Sequence, residues 1–181
     1  MADVTKRVFG FNPASPPQIT SLLDISGAAA GQIKFPASQN ASSDVNTLDD
    51  YEEGAWTPSI AFGGAAVGVT YDSDNAGVYT KIGNRVFVSG RLVLTSKGSS
   101  VGTVLIGGLP FTVKNASGAY SASALSIYNV TFANTFMGHA NTNDTTISIM
   151  EITEAGTRAS LADTDFANDS QVTICLSYIT A

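Results

Sequence analysis

Four carboxylates crowd together at Asp49, Asp50, Glu52 and Glu53, the densest charge cluster of the chain. Acids this close could hold a divalent cation or act as the acid and base of a glycosidase. Consecutive side chains of an extended or turn segment point in different directions, however, so sequence neighbours do not automatically converge on one ion or one bond. The order also lacks the Asp-x-Asn/Asp-x-Asn/Asp-Gly spacing of a calcium-binding EF-hand loop. The cluster reads first as a solvated acidic turn, with a cation site formed between chains as the alternative, and no metal ligand is assigned.

Other reactive groups are scarce. The single cysteine, Cys175, excludes an intrachain disulfide framework and a multi-cysteine metal site, and with no resident base it reads as structural. The single histidine, His139, excludes every site that needs two, and no Gly-x-Ser-x-Gly elbow accompanies it. Gly63-Gly64-Ala65-Ala66-Val67-Gly68 superficially suggests a phosphate loop, but a β-like stretch, Val67-Gly68-Val69-Thr70-Tyr71, follows where a helix should open, so a turn between strands is expected. No catalytic residue and no cofactor is predicted.

The rings carry a different chemistry. Tyr120, Tyr128, Phe132 and Phe136 lie among Asn129, Asn134, His139, Asn141 and Asn143. Aromatic faces beside amides can cover the apolar and hydroxyl faces of a sugar together, and loops on a rigid β scaffold are favoured binding positions. Tyr120, Tyr128, Asn129, Phe136, His139 and Asn141 are the ligand-binding candidates, with core packing the competing use of each ring. Trp56, beside Pro58, is expected to seal a hydrophobic base.

These residues must be positioned by a chain of 181 residues, enough for one domain with its own core, or one domain plus a tail. Nine basic against 15 acidic residues give a net charge of −6, which argues against nucleic acid or an anionic membrane as a partner. No run of 18 apolar residues occurs, and the mixed stretch Met1–Phe11 leads into Pro13, Pro16 and Pro17 rather than a signal-peptide core. A soluble protein, without membrane insertion and not exported by the general secretory route, is expected. Only 13% of residues are charged, whereas 17 are glycine, implying uncharged polar faces.

Strand signals dominate after Gly54. Trp56–Phe62 alternates loosely; Val78–Ile82 leads to a Gly83-Asn84 turn; Arg85–Ser96 puts Val86, Val88, Leu92 and Leu94 on one face. Gly90 in the middle of that face predicts a bulge, a bend or the close approach of an aromatic ring. Val101–Ile106, two short strands within Tyr120–Phe132, and Thr145–Ile152 follow. The stretch Gln171–Ile179 closes the pattern, with Val172, Ile174, Leu176 and Tyr178 on one parity. With no crossover helices, the fold class is all-β, an antiparallel β-sandwich or jelly-roll-like head. Residues 19–30 could form one or two helical turns or an extended arm lying on another chain.

Four strings carry a family resemblance: GQIKFPASQN at 31–40, NTLDDYEEGAWTPSIAFGG at 46–64, GVYTKIGNRVFVSGRLVLTSKG at 77–98 and GTVLIGGLPF at 102–111. Together they span a little over one-third of the chain. The combination of LDDYEEGxWTP, YTKIGNRV and GLPF resembles a module of tailed-bacteriophage tail fibre and tailspike proteins. The resemblance implies a homotrimeric virion component on the tail or capsid surface, assembled in the host cytoplasm. Residues 1–30 would be a virion-attachment arm bound to other phage tail or capsid proteins, through Val8, Phe9, Phe11, Ile19, Leu22, Leu23 and Ile25. Residues 31–54 would be an extended neck whose backbone finds partners in a trimer, and residues 55–181 the head. The enzymatic tailspikes usually carry a large parallel β-helix for which this chain has no room, so the expected role is adhesion to a host cell-surface glycan or protein, not catalysis. A purely structural capsid-decorating fibre or tail adaptor is one rival, and a polysaccharide hydrolase with an active site between subunits is the other.

Overall fold

The structure, a computed structural model, describes residues 33, 35, 37–38, 42–44 and 46–180. Residues 1–30 and all seven anchor candidates, from Val8 to Ile25, lie outside the described residues. The described strands fall within a single compact unit that starts at Phe35.

Eleven strands build this unit: β1 (Tyr51–Trp56), β2 (Ser59–Phe62), β3 (Val69–Tyr71), β4 (Ala76–Ile82), β5 (Arg85–Lys97), β6 (Val104–Gly107), β7 (Ser121–Val130), β8 (Thr135–Ala140), β9 (Ile147–Ile152), β10 (Arg158–Ser160) and β11 (Phe166–Ile179). Every pairing is antiparallel. The order is β1-β4-β5-β11-β7-β8-β9-β6-β2, with β3 added to β5 and β10 to β9. The two ends of this path are consecutive strands, joined only by Thr57 and Pro58. Three residue steps reach at most about 11 Å, close to the ~10 Å spacing of packed sheets. The sheet must therefore curl until its edges nearly meet. The all-β antiparallel expectation holds, with both layers belonging to one curled, half-barrel sheet.

The corner is β7. Ser121–Ser123 pair with β8, whereas Ala124–Tyr128 pair with β11, so one strand passes from one layer to the other. The two short strands expected in this region are thus a single strand with two sets of neighbours. The expected strand over 56–62 is instead cut in two at Pro58, which has no N–H for a ladder. The start of β1 at Tyr51 falls inside the 31–54 segment read as a neck.

Alternation supplies the core. Val86, Val88, Leu92 and Leu94 of β5 and Val172, Ile174, Leu176 and Tyr178 of β11 are buried from one layer. Ile60 and Phe62 of β2, Val104 and Ile106 of β6, and Ile147 and Ile149 of β9 are buried from the other. Each such side chain contributes roughly 1.5–3 kcal/mol relative to exposure. Between β4 and β5 the chain reverses at Gly83, whose φ of 56° suits a two-residue hairpin turn that few other residues tolerate.

Three inward rows link β1 to β4. Glu52 faces Lys81, Gly54 faces Tyr79, and Trp56 faces Gly77, which in turn faces Gly90 of β5. The Trp56 indole lies across both glycines: a Cβ at Gly77 would sit 2.3 Å from Nε1 and one at Gly90 2.6 Å from Cζ2. The ring's N–H donates to the Ser89 carbonyl at 3.0 Å. The aromatic approach expected at Gly90 is this ring, and Trp56 is buried as anticipated.

Candidate functional site

Six sequence positions were singled out for ligand contact, and the strand registers bring three of them together. Tyr120 immediately precedes β7, His139 lies on β8 opposite Ala122 and Ser148, and Asn141 follows β8. Their side chains share the outward side of the β7-β8-β9 layer because Ala122, His139 and Ser148 occupy one transverse row. The Tyr120 and His139 rings are 6.5 Å apart between centroids, tilted by 48°. Asn141 Nδ2 donates to Ser148 Oγ at 3.0 Å, which leaves its Oδ1 to accept from His139 Nε2–H at 2.8 Å. The imidazole is thereby fixed in orientation.

These groups border an open hollow of about 700 Å³ whose other walls are Met150 of β9 and Arg158 of β10. Tyr120 is 60% exposed, so its ring face is available from solvent. Arg158 was not anticipated. It sits on a three-residue strand in a polar run, too short for any alternation to register, and only the β9–β10 pairing brings it to the hollow.

The other three candidates lie elsewhere. Phe136 is on β8 at the parity of Gly138 and Ala140, opposite His139, half-buried and edge-to-face with Phe132 at 5.1 Å. Tyr128 is exposed toward the far end of β7, opposite Gln171 of β11. Asn129, at a φ of 53°, donates from Nδ2 to Asp169 Oδ1 at 2.5 Å, while its carbonyl accepts from Ser170 Oγ at 2.5 Å. It closes the irregular corner between β7 and β11.

The acidic cluster is dismantled by strand geometry. Asp49 accepts from the Ser42 N–H at 2.8 Å, Asp50 is buried against the Lys81 ammonium, Glu52 accepts from Tyr79 Oη, and Glu53 accepts from Tyr51 Oη. The reading as a solvated turn needs correction: Asp50 is buried, and Tyr51–Trp56 is a strand whose alternation sends Glu52 and Glu53 to opposite faces. Among the described residues, no three His, Cys, Asp or Glu side chains group in a way that could hold a metal ion. Cys175 is exposed on the outer face of β11. The glycine-rich stretch is a turn after β2, closed by paired backbone hydrogen bonds between Phe62 and Ala65 at 2.8 and 3.1 Å.

Two phenols beside this cluster are held in their neutral form. The hydrogen bond to Glu52, then burial, then that carboxylate's charge push Tyr79 up to about 12. Burial pushes Tyr178 up to about 12, with Tyr79 adding to the shift and the Phe111 N–H opposing it. Unfolded tyrosine ionises near 10. Above that pH the unfolded chain has lost protons that the folded chain keeps. The stabilisation from both groups is therefore complete below pH 10 and is lost as pH rises through about 12. Urea midpoints measured across this window are expected to fall, and Tyr79→Phe should make the fall shallower; an unchanged slope would refute the assignment.

A scan of family models and a search of curated proteins give no match. Among solved structures, the crystal structure of the Dettilon tailspike protein, gp208, superposes with a TM-score of 0.60 over 71% of this chain at 17% identity. Over that stretch the chain shares its fold with part of a phage tailspike. At this identity the likeness is one of fold, and the chain covers only 24% of the tailspike's own length. No helix among the described residues is long and apolar enough to cross a membrane.

Proposed function

We propose that the chain is a structural virion component, a small homotrimeric phage tail fibre or spike whose β head adheres to the host surface. The observation that carries this reading is the tailspike fold, matched over 71% of the chain. In this reading residues 1–30 bind other tail or capsid proteins and residues 31–54 form the neck, whose last residues already pair as β1 with the head that continues from residue 55. A non-enzymatic role is part of this reading: the clustered carboxylates at 49–53 each serve a different local partner, in keeping with a structural use.

The outer face of β1, β4, β5 and β11 supports trimer contacts. Val78 is 62% and Phe87 47% exposed there, and Tyr51 and Ile82 are also exposed. With Cys175 and neighbouring serines and threonines, Val78 and Phe87 border a shallow hollow of about 350 Å³ that contains no charged side chain. Contiguous exposed apolar side chains on a sheet mark an interaction surface, and an uncharged patch such as this hollow can meet its own copy without desolvating ions there. Multi-angle light scattering of the full chain is expected to give three times the mass of one chain, falling toward a single chain in Phe87→Glu. A monomer at tens of micromolar would overturn the trimer. Binding of the full chain to bacterial cells or isolated surface polysaccharide tests adhesion; a trimer that binds none would favour the purely structural rival, and release of shortened polysaccharide would favour the hydrolase.

A further inference from the structure

We propose that the hollow bordered by Tyr120, His139, Asn141 and Arg158 takes an anionic saccharide, a sugar unit bearing a carboxylate or phosphate. The inference rests on the adhesive reading above and names the class of ligand for its site. Its starting point is the distribution of cations. Lys81 is paired with Asp50, Lys97 lies 3.9 Å from the Asp163 carboxylate, and the Arg91 guanidinium is held by Asp74 at 3.0 Å and Gln171 at 2.7 Å. Arg85, Lys114 and Arg158 make no ion pair or side-chain hydrogen bond among the described residues, and of these three it is the exposed Arg158 that lines the hollow. On a chain of net charge −6, an uncommitted guanidinium at a concave site is a local exception to a field that repels anions. Its planar fork matches a carboxylate or phosphate bidentately.

The other walls specify the rest of the ligand. Tyr120 offers an exposed ring face, which suits the apolar C–H face of a pyranose, and Met150 adds an adaptable apolar surface beside it. The chain of hydrogen bonds from Ser148 through Asn141 to His139 holds polar groups in fixed positions, and a ring of hydroxyls is the natural complement to such a set. The volume of about 700 Å³ falls within the ~300–1,000 Å³ usual for small-ligand sites. Its open side would let a longer polymer enter and leave.

The test is equilibrium binding of the full chain to a panel of acidic and neutral bacterial polysaccharides, at low and high salt. The unaltered protein is expected to bind acidic members, more weakly as salt rises. Arg158→Gln should weaken that binding at least about tenfold and remove most of its salt dependence, because a hydrogen bond to a charged group is lost. Tyr120→Ala should weaken it without changing the salt dependence. Lys114→Gln, a cation outside the hollow, should leave binding unchanged. Circular dichroism and solution mass confirm that each variant folds. Binding restricted to neutral polysaccharides, or acidic binding that survives Arg158→Gln within about twofold, would overturn the inference and leave adhesion standing. Absence of binding to every polysaccharide and to whole cells would overturn both.

Discussion

Lys81→Met is expected to destabilise the head by about 3–5 kcal/mol, more than almost any surface change could. Lys81 is 4% and Asp50 5% exposed, and the ammonium and carboxylate meet directly. The ammonium also stands 5.5 Å from the Phe111 ring centroid, itself edge-to-face with Tyr79 at 5.3 Å. Removing the cation strands a carboxylate in a site that water reaches poorly, and the cost lies mainly in that uncompensated charge. Asp50→Leu should be similarly damaging for the converse reason. The double variant should be less destabilised than either single one, because replacing both charges leaves neither member of the ion pair without its counter-charge. Urea denaturation of the four proteins, with equal m values, measures the coupling. Additive losses would show that each residue acts through packing alone.

Trp56→Ala is expected to cost about 3–5 kcal/mol, since the indole fills the space over two strands and no neighbour can collapse into it. The converse change attacks the same contact from below. Gly90→Ala and Gly77→Ala would each place a methyl group within 3 Å of the ring, and overpacking of this kind costs about 1–3 kcal/mol. The informative result is the combination: Gly90→Ala should cost far less in a Trp56→Ala background, where its clash with the indole is gone. As the chain has one tryptophan, its fluorescence in the single glycine variants reports directly whether the ring has been displaced. An equal cost of Gly90→Ala in both backgrounds would sink the contact as the reason for the glycine.

Much of this head was legible because its central strands alternate over long runs. The buried sets on β5 and β11 follow from parity alone, and the gap at Gly90 announced the ring that fills it. What parity cannot supply is register. Asp50 looked like part of an acidic turn because its counter-ion comes from β4, and only the β1–β4 pairing reveals a buried pair. The ligand candidates were grouped by nearness in sequence, which strand alternation then divided. His139 and Phe136 sit on opposite sides of β8, and Asn129 is spent on a corner. Arg158 escaped notice because a three-residue strand has no period to detect. Residues 1–30 remain an expectation from the resemblance, outside the described residues.

The position of β11 within the sheet bears on how the molecule is made. It is the last strand in chain order, yet it lies between β5 and β7 and joins the two layers. A ribosome that has released β1 through β10 has therefore produced two partial sheets with no strand to unite them. Closure of the sheet therefore waits until β11 has emerged, and such non-local closure is slow. During that interval the inner edges of β5 and β7 are open to the matching edges of other nascent copies, so chains emerging together on one message meet when exchange between them is easiest.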